Sequence, residues 1–170
     1  MQARLFVLSF ASAALITFSG PAWAQVSSAD VNIVSLTGSS PSASRFVCEA
    51  VINNQNDDDA YGVTVVMLLP LQVQKAHGQV LGGPGTCKAY PNSNGPYIET
   101  MICDLGHLPQ GPTVQRTVRV TMTPSTAGPN YPPTCGAFIY STVGDIDKRN
   151  NYAYWPCDPT YQHNTCTKAK

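Results

Sequence analysis

Charge is what this sequence has least of. Only 12% of its 170 residues are Asp, Glu, Lys or Arg, and ten of each sign cancel to a formal net charge of zero. Such a chain carries no electrostatic footprint for nucleic acid or for an anionic membrane surface. Helical periodicity is missing too. Beyond residue 24 no stretch repeats apolar residues at i, i+3, i+4 and i+7, and no apolar run there is long enough to cross a bilayer core. No Cys-x-x-Cys occurs, and His77, His107 and His163 stand at no ligand spacing from the cysteines, which speaks against zinc. A G-x-S-x-G elbow and an H-E-x-x-H helix are also absent, so no catalytic residues are assigned and no cofactor is expected. The hydrophobic fraction, 43%, is too high for a disordered chain, and the length suits one domain.

The N-terminus reads as a secretory signal peptide over residues 1–24. Arg4 supplies the positive start, Leu5 to Phe18 form an uncharged run, and Ala22-Trp23-Ala24 gives the small-x-small cleavage pattern. Those 14 residues are too few to span a hydrocarbon core of about 30 Å at about 1.5 Å each. Cleavage would leave 170 − 24 = 146 residues, and losing Arg4 would make the net charge 9 − 10 = −1. The expected address is exported, periplasmic or extracellular, with no membrane span in the mature chain. The cysteines fit that compartment. All six (Cys48, Cys87, Cys103, Cys135, Cys157, Cys166) follow the cut, and an oxidising environment favours three disulfides, although spacing alone leaves every connectivity open.

What the sequence has in plenty is short β-patterned runs separated by turn chemistry. Strands are expected at Val31–Leu36, Arg45–Asn53, Val63–Leu69 (ended by Pro70), Cys87–Tyr90, Tyr97–Leu105, Val114–Thr123, Cys135–Val143 and Asn151–Cys157. In the second, Phe46, Cys48, Ala50 and Ile52 share one face. In the sixth, Val118, Val120 and Met122 alternate with Gln115, Thr117, Arg119 and Thr121, a half-buried pattern. Arg116 is the polar exception on the apolar parity, placed near the strand start where it is expected to reach water. Seven or eight such strands predict an all-β, Greek-key sandwich over residues 25–157, followed by a polar tail at 158–170.

Three pieces of the chain carry a family likeness. They are Asn54 with Ala60-Tyr61-Gly62-Val63-Thr64-Val65 to Leu69-Pro70; Cys103-Asp104-Leu105-Gly106-His107-Leu108 with Gly111 and the Val118–Pro124 strand; and Asp145 to Asn150-Asn151. In this order they resemble the bacterial Ig-like surface repeat called domain of unknown function eleven, here as a single divergent copy. The resemblance implies an extracellular Ig-like sandwich over roughly residues 30–157 and brings no catalytic residue. It also implies a disulfide framework. In an Ig-like sandwich the strands of Cys48 and Cys135 face each other across the core, Cys87 and Cys103 would staple neighbouring strands, and Cys157–Cys166 would tie down the tail.

Three features could carry chemistry. Asp57-Asp58-Asp59 is the only charge run, and it is either a calcium ligand set, since calcium wants six or more oxygens, or a solvated turn. Asp145-x-Asp147 is weaker, because Lys148 and Arg149 follow directly. The aromatics Tyr90, Tyr97, Tyr131, Tyr140, Tyr152, Tyr154, Trp155 and Tyr161 gather toward the C-terminal half. Tyr152, Tyr154 and Trp155 at the last strand are candidates for a binding face, with cross-strand core packing as the alternative. The expected function is a non-enzymatic, secreted or cell-envelope module that binds a protein or a surface glycan; the alternative is a small carbohydrate- or calcium-binding protein.

Overall fold

A computed structural model describes residues 28–42, 44–91, 93, 98–124 and 134–155. The expected signal peptide, residues 125–133, the Cys157–Cys166 pair and the polar tail lie outside the described residues. In chain order the strands are β1 (Ser28–Ala29), β2 (Val31–Ser42), β3 (Arg45–Asn54), β4 (Ala60–Leu81), β5 (Thr86–Pro91), β6 (Ile98–Leu108), β7 (Gln115–Pro124), β8 (Cys135–Tyr140), β9 (Gly144–Asp145) and β10 (Tyr152–Trp155), with one 3-10 turn at Lys148–Asn150.

The hydrogen-bonded ladder runs β10-β8-β4-β7-β3-β2, with β6 on β4 and β5 on β6. Strands β3 and β8 are separated in that ladder by β7 and β4, yet the Cα atoms of Cys48 and Cys135 are only 6.4 Å apart. The ladder must therefore fold back on itself, and it does so within β4. Residues 60–68 of β4 pair with β6 and β8, whereas residues 73–81 pair with β7. One layer is β2-β3-β7 with the second half of β4; the other is β10-β8 with the first half of β4, then β6 and β5. The fold is an all-β, Ig-like Greek-key sandwich stapled by disulfides.

The expected end of a strand at Pro70 is corrected here. The chain does not stop at Pro70 but changes layers, and the register breaks between Leu68 and Val73 at that point. A proline has no N–H to give a ladder, so it is tolerated where the ladder is being handed from one layer to the other. The strand at residues 73–81 was not foreseen, because Gln74, Lys75, His77 and Gln79 hide its alternation with the inward-facing or half-buried Val73, Ala76 and Val80.

The core lies between the layers. Phe46, Cys48, Ala50, Ile52, Val118, Val120 and Met122 come from one side; Val63, Val65, Met67, Met101, Cys103, Leu105, Cys135, Ala137 and Ile139 come from the other. Two disulfides hold it. Cys48–Cys135 joins β3 to β8 across the layers, and Cys87–Cys103 joins directly opposed residues of β5 and β6. The half-buried Cys87 also abuts Gly78 of β4, where any side chain would meet Cys87 Cβ and Met101 Sδ.

Arg116 is a second correction. It is 6% exposed rather than solvated at a strand end. Its Nη1 donates to the Pro84 carbonyl and its Nη2 donates to the His107 carbonyl at 3.1 Å, while the guanidinium lies where a side chain at Gly83 would be. A planar fork of donors can tie two loops that a point-charge ammonium could not. The inward parity was right; the loops close over the side chain and exclude water.

Candidate functional site

The outer face of the layer containing β10, β8, β4, β6 and β5 is where large apolar side chains meet solvent. The cause is local. In β8 the small or aliphatic Cys135, Ala137 and Ile139 are buried, so period-two alternation turns Phe138 and Tyr140 outward, and they are 40% and 51% exposed. In β10 Ala153 is buried, which turns Tyr152 and Tyr154 outward beside them. Register then extends the face across the layer: Tyr152, Phe138, Val66, Ile102 and Lys88 form one row, and Tyr154, Gly136, Leu68, Thr100 and Tyr90 form the next.

The rings form a connected stripe. The Phe138 and Tyr152 centroids are 4.5 Å apart at an interplanar angle of 42°, and those of Tyr152 and Tyr154 are 6.5 Å apart at 39°. Gly136 makes room for it. An ideal Cβ there would stand 3.3 Å from both Cδ2 and Cε2 of Tyr154 and from Cδ1 of Leu68. The Tyr154 ring therefore lies against the sheet. Far from the stripe, the Lys88 ammonium sits 5.2 Å from the Tyr90 ring centroid, a cation–π contact.

At the Tyr140 end the stripe runs into a depression of about 340 Å³, lined by Tyr140, Ser141, Asp145, Lys148 and Asn151 among others. Asp145 shapes it: Oδ1 accepts from the Asp147 N–H at 3.0 Å, and Oδ2 accepts from Asn151 Nδ2 at 2.8 Å. That second bond leaves Asn151 Oδ1 buried with no hydrogen-bond partner.

Of the three residues expected to form a binding face, the structure brings two together. Tyr152 and Tyr154 share the outer face. Trp155 does not: it pairs in register with the buried Cys135 and packs on Phe46 with centroids 5.8 Å apart, so it belongs to the interior side of β10. Residue spacing of one along a strand reverses the face, which is the reason. Phe138, Val66, Ile102 and Leu68 went unselected by sequence reasoning. The signals were present in the apolar pattern on both faces of residues 63–69 and in the Ala137/Ile139 parity of β8.

Asp57, Asp58 and Asp59 do not converge. Asp57 is exposed, Asp58 Oδ2 accepts from the Ser28 N–H at 3.0 Å, and Asp59 turns toward the loop after β6. There its Oδ1 accepts from the Gln110 N–H at 2.9 Å and its Oδ2 lies 2.9 Å from His107 Nε2. The Gln110 N–H foremost, and then His107, hold the Asp59 carboxyl below the usual carboxylate range. His107 stacks on Tyr61 with centroids 4.9 Å apart. Among the described residues no group of three or more His, Cys, Asp or Glu side chains is placed to hold a metal ion. Asp58 and Asp59 thus fasten strand β1 and the loop after β6 to the end of the sandwich. Asp147 is similarly spent, held down to about 2 by the Arg149 side chain first and the Arg149 N–H second.

No protein-family model and no curated protein matches the chain. Among solved structures it is similar to an uncharacterized protein from Nocardia farcinica with an immunoglobulin-like fold, at 15% identity and a TM-score of 0.44, over 73% of this chain and 85% of that one. It is also similar to a biomass sensing module of Rsgi-like proteins from Clostridium thermocellum, described as resembling a family 3 carbohydrate-binding module. That match has 9% identity and a TM-score of 0.39, over 71% of this chain and 99% of the module.

Proposed function

We propose that the chain is an exported, non-enzymatic Ig-like module that binds another macromolecule of the cell envelope or its surroundings. The observation that carries this reading is the aromatic outer face of the β10-β8-β4-β6-β5 layer. Phe138 and Tyr140, at 40% and 51% exposure, continue into Tyr152 and Tyr154 on the neighbouring strand. Aromatic side chains such as these are enriched at recognition surfaces relative to the rest of a protein's surface. Export is supported by the signal-like residues 1–24 and by the two disulfides, which persist in oxidising compartments. The pattern of residues resembling domain of unknown function eleven agrees with a surface role.

The test is co-sedimentation of the exported protein with envelope fragments from its own cells. Phe138→Ala/Tyr140→Ala is expected to weaken binding at least tenfold. Arg119→Ala, on the outer face of the other layer beside Glu49, is expected to leave it unchanged. Equal binding by both variants would remove the basis of this reading.

A further inference from the structure

We propose that the Tyr154–Tyr152–Phe138–Tyr140 stripe and the depression at its end bind an uncharged oligosaccharide chain, its sugar rings stacked on the aromatics and its hydroxyls bonded in the depression. The proposal deepens the reading above and rests on it.

The posture of the rings comes first. Tyr154 lies down over Gly136, with two of its ring carbons 3.3 Å from where a Cβ would be, and Tyr152 and Phe138 follow at successive tilts of 39° and 42°. Rings lying along a sheet present their electron-rich faces outward, which suits the partly positive C–H groups on one side of a pyranose. A turning succession of such faces can stay in contact with a chain of rigid sugar rings that itself twists.

Size points the same way. With Phe138 and Tyr140 about half exposed and the other two rings less so, the stripe offers on the order of 300 Å². A stable protein–protein interface takes about 800 Å² from each partner. The stripe is short of that and ample for a few sugar rings.

Charge and polar groups complete the case. Along β10, β8 and residues 64–68 of β4 the outward side chains are Tyr152, Tyr154, Phe138, Tyr140, Thr64, Val66 and Leu68, and none is charged. A charged polymer finds no complement there. The charged and amide groups lie in the depression, whose wall includes Ser141, Asp145, Lys148 and Asn151. Hydroxyl groups, which donate and accept, suit both the Asp145 carboxylate and the Lys148 ammonium.

The same co-sedimentation assay, run on envelope fragments that are untreated, periodate-oxidised or proteinase K-digested, decides the matter. Periodate cleaves vicinal diols of sugars and is expected to lower binding at least tenfold, while proteinase K leaves it intact. Lys148→Ala is expected to weaken binding to untreated fragments several-fold. Binding lost to proteinase K and indifferent to periodate would overturn the oligosaccharide inference and leave the aromatic face standing as a protein-binding surface. Undiminished binding by Phe138→Ala/Tyr140→Ala would instead overturn the reading on which it rests.

Discussion

Trp155 occupies the space that a side chain at Gly38 would fill: an ideal Cβ on Gly38 would run into Cε3 and Cζ3 of the indole. The two residues come from opposite layers. Gly38 pairs in register with Cys48, and Trp155 pairs with Cys135, so they flank the disulfide that joins those cysteines. Phe46 closes the cluster against the indole. Sheet, bridge and ring thus lock one edge of the sandwich.

From this contact follows a stability prediction. Gly38→Ala forces the indole to move in a packed setting, and overpacking of this kind costs about 1–3 kcal/mol. Trp155→Leu makes room at the expense of its own contacts. The double variant should therefore be less destabilised than the sum of the two single ones. Urea unfolding of all four proteins measures the coupling, and strict additivity would show that the two residues do not interact.

The two disulfides should differ in worth. Their sequence separations are 87 residues for Cys48–Cys135 and 16 for Cys87–Cys103. Loop-closure entropy then gives about 4.6 and about 3.1 kcal/mol. Paired replacement of Cys48 and Cys135 by Ala should lower the urea midpoint more than paired replacement of Cys87 and Cys103. The reverse order would mean that packing under Gly78, not chain closure, governs the contribution.

Arg116→Met keeps most of the buried stem and removes the donors to the Pro84 and His107 carbonyls. A hydrogen bond from a charged donor contributes about 1.5–3 kcal/mol at most where its acceptor is partly open to water. A fall in Tm is expected, and Arg116→Lys should recover only part of it, because an ammonium cannot fork between two loops. Calorimetry of the three proteins checks both points.

Acid should act through Asp59 and Asp147. Both carboxyls titrate below their ordinary value of 3.8 in the folded protein, Asp147 at about 2. A depressed carboxyl stabilises the fold fully above its unfolded value, and that contribution is lost as pH falls through the folded one. The wild-type protein should therefore lose stability between about pH 4 and pH 2 more steeply than Asp59→Asn/Asp147→Asn. Parallel curves of denaturant midpoint against pH would contradict this. Exposure of both pairs makes the effect small and sensitive to salt.

How much of this was legible in the residues depends on the range of the interaction. Alternation of Val118, Val120 and Met122 announced a half-buried strand because side-chain direction in a strand is a local, period-two property. Parity likewise turned Cys48 inward with Phe46 and Ala50. The same local rule, applied to β8, would have turned Phe138 and Tyr140 outward. What no local rule contains is which strand lies beside which. Passage of β4 from one layer to the other at Pro70, closure of the loops over Arg116, dispersal of Asp58 and Asp59 to different partners, and the placing of Trp155 on Gly38 all join residues far apart in the chain. Composition and alternation by themselves determined an all-β chain with two-faced strands. Only the tertiary structure decided which outward residues meet, since contact across layers and across strands is set by register and packing, and these are properties of the assembled sandwich.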